Sequence, residues 1–125
     1  MQYLTLVYID PERMAELPAA EFDRLMRGCF EKADALQAGG CLLGSQQLED
    51  PASARTLRVR DGVTRVTDGP FAETREFLAG FNLIEADTPA EAMRIAQEFP
   101  WSRYGSIEVR PVRDMQAVRD RVGAA

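Results

Sequence analysis

The stretch "FLAGFNLIEADTPAEAMRIAQEFP", residues 77–100, decides the fold. Residues 77–86 are apolar at successive rather than alternate positions, which marks a strand covered on both faces. Thr88-Pro89-Ala90-Glu91 then forms a capping box with proline at the first helical position. Ala92, Ile95, Ala96 and Phe99 recur at helical spacing until Pro100 ends the run. A doubly covered strand feeding an amphipathic helix is half of an α+β layer, and the rest of the chain supplies the other half.

Working towards the N-terminus, "YLTLVYI", residues 3–9, is a second strand of the same two-sided kind. Phe22, Leu25, Met26, Cys29, Ala33 and Leu36 lie at helical spacing across residues 19–38, and Gly39-Gly40 supplies a left-handed stop. "CLLGSQQL", residues 41–48, makes a shorter strand, and "EDPASA" is a polar loop. Towards the C-terminus, "SIEVRPV", residues 106–112, is the last strand. The domain spans residues 1–113, and residues 114–125 are a surface tail or short helix.

Between these halves, "TLRVRDGVTRVT", residues 56–67, places two alternating runs around Asp61-Gly62, the pair favoured by a two-residue type I′ hairpin. That turn sets the register. Arg60 faces Val63, Val59 faces Thr64, Arg58 faces Arg65, Leu57 faces Val66 and Arg55 faces Asp68. The order is therefore a ferredoxin-like βαββαβ core with an inserted β-hairpin. Two helices cover one sheet face only, so strands apolar on both faces require a second cover. A copy of the same chain is the simplest one, and a homodimer is expected.

Composition narrows the function. At 125 residues the chain holds one core. A net charge of −5, with no segment that gathers Lys or Arg, argues against nucleic acid as a partner; that Lys32 is the one lysine among 15 basic residues reflects genome composition rather than chemistry. No run is long enough to span a bilayer, the opening residues read as a strand rather than a signal peptide, and two cysteines are too few for a disulfide framework. A cytoplasmic setting without membrane partners follows as the expectation. No residue set has metal-ligand spacing, and no P-loop is present, so neither metal nor nucleotide cofactor is expected.

After the hairpin comes "DGPFAETRE", residues 68–76, which resembles the signature of the DGPF branch of the YCII-related family. The resemblance extends over "YLTLVYID", "LQAGGCLLGSQQL", "RVRDGVTRVTDGPFAE", "GFNLIEA" and "GSIEVRPV", with Arg75 where lysine is commoner. It implies a dimeric α+β barrel of the bacterial cytoplasm, of a branch that often occurs beside extracytoplasmic-function sigma factors. Two readings follow: a small organic ligand bound in a pocket near Asp68, or a non-enzymatic accessory or regulatory module associated with such a sigma factor. Relatives argued to be catalytic use a histidine on the first helix with an aspartate. This chain has no histidine. Cys29 falls at that histidine's position and Phe99 at that of an acidic residue that can precede the proline after the second helix. An imidazole proton shuttle is thereby excluded.

The candidate residues follow from the register and the signature. Asp68 ends its strand on the side of Leu57 and Val66, where a carboxylate needs a partner, and Arg55 stands opposite. Asp68 is either an acid or base of lyase-like or isomerase-like chemistry, or an acceptor of backbone N–H groups in the Gly69-Pro70 turn. Ligand contacts are expected from Arg55, Phe71, Glu73, Arg75, Tyr8 and Arg110, the arginines steadying an anionic group. For Glu73, Arg75 and Glu76 the alternative is a solvated loop with a weak ion pair. Arg58 opposite Arg65 is a local conflict that an anion or open solvent would relieve. Cys29 lies on an apolar stripe, which suits an inert buried thiol. Trp101, Arg103 and Tyr104 could either rim a pocket or cover the sheet edge.

Overall fold

The computed structural model describes residues 1–124. Ala125, the final residue of the expected 114–125 tail, lies outside the described residues. The elements are β1 (Gln2–Ile9), α1 (Pro11–Ala15), α2 (Ala19–Ala38), β2 (Leu42–Gln47), β3 (Arg55–Arg60), β4 (Val63–Asp68), β5 (Phe77–Glu85), α3 (Pro89–Gln97), β6 (Gly105–Pro111) and α4 (Met115–Val122), with 3-10 turns at Pro51–Ser53 and Pro100–Arg103. Among the described residues no helix is long and apolar enough to cross a membrane.

β2, β5, β1 and β6 form one antiparallel sheet in that order, so the two strands with apolar residues on both faces are the central pair. This is the ferredoxin-like arrangement expected from the order of elements. Opposed residues share a face. Tyr3 with Ile84, Thr5 with Asn82 and Val7 with Gly80 form one face, which the helices cover. There Tyr3, Leu42, Ile84, Ala86, Ala92 and Ile95 close a core, joined by Ala33 and Leu36 of α2. The other face carries Leu4, Leu6, Tyr8, Leu78, Phe81 and Leu83, all of them half-exposed.

Local chemistry explains the boundaries. Thr88 accepts the Glu91 N–H at 3.1 Å, and the Glu91 carboxylate accepts the Asp87 N–H at 2.8 Å, which fixes the start of α3. Gly105 begins β6 where a Cβ would lie 1.9 Å from the Tyr8 carbonyl oxygen, so only glycine admits that strand crossing. The short α1 was not foreseen in the sequence pattern, although Asp10-Pro11 carries its signal. Asp10 caps it by accepting the Glu12 N–H at 3.0 Å, and proline takes the first helical position.

β3 and β4 form a separate two-stranded sheet in the expected register, turning through Asp61 (φ 52°) and Gly62 (φ 76°). Leu57, Val59, Val63 and Val66 are all exposed on this arm. α4, capped by Asp114 and ended by Gly123 in the left-handed region, buries no residue.

Candidate functional site

The covered face of the sheet is filled at one end and hollow at the other. α3 reaches only the filled end, where Ala92 and Ile95 meet Tyr3 and Ile84. Beyond it, α2 stands over the sheet, joined by Met14 of α1. Phe22, Met26, Cys29, Phe30 and Ala33 line its side of the cavity at the spacing of one helical face. Val7 and Ile9 of β1 and Phe77 of β5 line the opposite side, and Phe99 and Trp101 close the end. The cavity between them has a volume of about 270 Å³.

Two features keep this space open. Gly80 contributes no side chain, and it has to be glycine because a Cβ would lie 2.6 Å from the Gln46 carbonyl oxygen. A register irregularity between Val7 and Tyr8 shifts the pairing of β1 with β5 there, leaving Ala79 as the extra residue. The aromatic wall is built in sequence order by Pro100, which ends the helical run and leads Trp101 back over α2. Its ring lies 6.0 Å from Phe22, inclined at 41°, and Tyr104 supports it from 6.3 Å.

Polar groups are few on this wall, and none is charged. The Ser45 hydroxyl donates to Asn82 Oδ1 at 2.6 Å. Asn82 Nδ2 then has no protein acceptor among the described residues, and both residues line the cavity. Burial pushes the Cys29 thiol above its ordinary range, and the Trp101 indole works against that shift. A protonated, weakly nucleophilic sulfur results, so the wall presents a soft apolar atom rather than a thiolate.

The signature segment lies elsewhere and holds the chain together at its corners. Gly69, at φ +93°, donates its N–H to the Ala54 carbonyl at 2.7 Å, and its own carbonyl accepts the Thr56 hydroxyl at 2.9 Å. Arg58, paired with Arg65 across the arm, donates to the Phe71 carbonyl at 3.3 Å. Arg75 pairs with Asp10 at 3.2 Å and with Glu12 at 3.4 Å, and Glu76 accepts the Ser106 hydroxyl at 2.8 Å. Asp10 is the best-buried of these carboxylates, with 5% of its side chain exposed. Sequence reasoning missed it, since nothing local says that Arg75 will come back to the end of β1.

Asp68 and Arg55 face each other at 3.8 Å, with side chains 94% and 78% exposed. Phe71 is 78% exposed, and Glu73 and Arg110 are also exposed. Tyr8 and Arg110 lie on the open sheet face, since Tyr8 pairs with Leu78, and Arg110 with Leu4. None of Tyr8, Arg55, Asp68, Phe71, Glu73, Arg75 and Arg110 lines the cavity. Trp101 does, whereas Arg103 borders a neighbouring groove with Lys32 and Glu98. The overlooked residues are Ser45 and Asn82. Asn82 carried a signal, a polar residue within the otherwise apolar run of β5, whereas Ser45, exposed in the polar half of β2, carried none.

Comparison with known proteins places these features in a family. The model of the YCII-related domain matches residues 1–116. An uncharacterised protein of Rhizobium meliloti (strain 1021) is 36% identical over 114 residues, covering 90% of this chain and 92% of the relative. Among solved structures, the 5-chloro-2-hydroxyhydroquinone dehydrochlorinase of Burkholderia phenoliruptrix AC1100, in complex with 2,5-dihydroxybenzoquinone, shares the fold with a TM-score of 0.51 at 13% identity. That match covers 90% of this chain and 94% of the other.

Proposed function

We propose that this chain, which belongs to the YCII-related domain family, binds a small organic ligand in the cavity between α2 and the sheet, and does so as a homodimer. The observation that carries the ligand reading is the cavity itself, about 270 Å³ of space walled by aromatic and aliphatic side chains with a few polar groups. The dehydrochlorinase of similar fold was solved with a small cyclic ligand, which supports an occupant of that size. The homodimer reading rests on the open sheet face, where Leu4, Leu6, Leu78 and Leu83 stay half-exposed around the middle of the molecule.

Both parts are testable. Trp101 is the only tryptophan, so its indole resonance reports occupancy of the cavity by small-molecule fragments. Ala33→Phe, which fills the space from α2, is expected to abolish the shifts seen with wild type. Fragment responses that survive Ala33→Phe would remove the cavity as the site. Sedimentation at micromolar concentration is expected to give twice the chain mass, and a single species at monomer mass would end the homodimer reading.

A second, chemical reading attaches to the arm. Its exposed apolar residues Leu57, Val59 and Val66 call for a cover, and Asp68 with Arg55 stands at its base. A second copy laid over that face would desolvate the pair, giving Asp68 an acid or base role with Arg55 or Arg110 on an anionic intermediate. Under this reading Asp68→Asn removes the ligand response; under the cavity reading it leaves it intact.

A further inference from the structure

The cavity wall constrains what can occupy it. The chain is 28% charged, yet no Asp, Glu, Lys or Arg lines the cavity. A charged ligand there would lose hydration without gaining a counter-ion, a loss that uncharged ligands avoid. The apolar lining includes Phe22, Phe77, Phe99 and Trp101, whose flat faces favour a flat partner. A cavity of about 150 Å³ already accepts benzene, so about 270 Å³ leaves room for a second ring or for substituents.

One polar anchor is oriented in advance. The Ser45 hydroxyl holds Asn82 Oδ1 at 2.6 Å, which leaves the Asn82 amide N–H groups as the free donors of the pair. A backbone contact, the Thr5 hydroxyl donating to the Asn82 carbonyl at 3.4 Å, fixes the same residue from the β1 side. A donor set of this kind suits an oxygen acceptor on the ligand, a carbonyl or a hydroxyl. We infer that the cavity selects an uncharged one- or two-ring aromatic compound carrying such an oxygen, and that Asn82 is the residue that reads it. This rests on the cavity being the ligand site.

Three probes of one shape test it by titration, following the Trp101 indole resonance: 2-naphthol, 2-methylnaphthalene and 2-naphthoate. Wild type is expected to bind 2-naphthol at least about 10-fold more tightly than 2-naphthoate, and more tightly than 2-methylnaphthalene, at neutral pH. Asn82→Leu is expected to cancel the preference for 2-naphthol over 2-methylnaphthalene while retaining the hydrocarbon. Hydrocarbon binding, together with thermal unfolding, shows that this variant is folded. Should Asn82→Leu fail to fold, Ser45→Ala, which frees the amide to rotate, is expected to weaken 2-naphthol alone. If 2-naphthoate binds as tightly as 2-naphthol, or the preference survives in the folded variant, the ligand class is overturned while the site stands. If none of the three moves the Trp101 resonance, the site itself falls.

Discussion

The two ends of the single helix–sheet layer are built from the same kinds of residue and finish differently. At the Tyr3 end, α3 and α2 both press on the sheet, and Tyr3 and Ile84 are each 1% exposed. At the Ile9 end, α3 has stopped, Gly80 contributes no side chain, and a cavity of about 270 Å³ stays open beneath α2. Close packing is what gives a core most of its stabilising contacts. Stability is therefore concentrated at one end, and the other is left able to hold something.

The largest effects should separate the ends. Ile84→Ala removes a side chain from the closed core and is expected to cost about 2–5 kcal/mol in urea unfolding. Met26→Ala, on the wall of the existing cavity, is expected to cost less than about 2 kcal/mol, because part of its surroundings is already empty. Equal losses at both positions would erase the distinction between a filled and a hollow end. Gly80→Ala tests what keeps the hollow end open. Its Cβ would meet the Gln46 backbone at 2.6 Å, so an intermediate loss of about 1–3 kcal/mol is expected, with β2 pushed from β5. Amide exchange along β2 would show whether the damage stays at that edge.

A pH scan sharpens the same contrast through the thiol of the hollow end. Burial raises Cys29, and it also raises Cys41, where nearby Glu91 adds to the shift. A folded-state pKa above the unfolded one gives stability that is complete below about pH 8.5, the free thiol range. As pH rises further, the unfolded chain releases protons that the folded chain retains, and stability falls. Wild type should therefore lose thermal stability above that pH, and Cys29→Ala should lose it less steeply, since only Cys41 remains. An identical alkaline slope in Cys29→Ala would mean that Cys29 is not shielded at the cavity wall.

The sequence and the structure agree most closely where local chemistry decides. Asp61-Gly62 specifies the turn, and the turn specifies every pair of the hairpin down to Arg55 with Asp68. Thr88 and Glu91 likewise specify where α3 begins. The cavity is a different kind of object, because it consists of side chains that fail to meet. Its causes are far apart in the chain: a glycine on β5, a helix ended by Pro100, and an aromatic at position 101 folded back onto Phe22. No window of sequence contains that combination. The same holds for Arg75, whose partner Asp10 lies 65 positions away. Periodicity correctly put Asp68 on the face of Leu57 and Val66; it could not say what covers that face, and within the chain it is open.

The smallest expected effect bears on where the ligand sits. Asp68 is 94% exposed, and its ion pair with Arg55 at 3.8 Å is held between two solvated side chains, an arrangement worth little. Asp68→Asn keeps the shape and most of the hydrogen-bonding capacity of the turn, so unfolding should change by no more than about 0.5 kcal/mol. The same variant should give a wild-type response of the Trp101 resonance to 2-naphthol, because Asp68 does not line the cavity. A response lost at unchanged stability would carry the ligand away from the hollow end and onto the arm, where only a second copy could cover it. The hollow end would then be a packing defect, and Met26→Ala and Ala33→Phe would alter stability without altering binding.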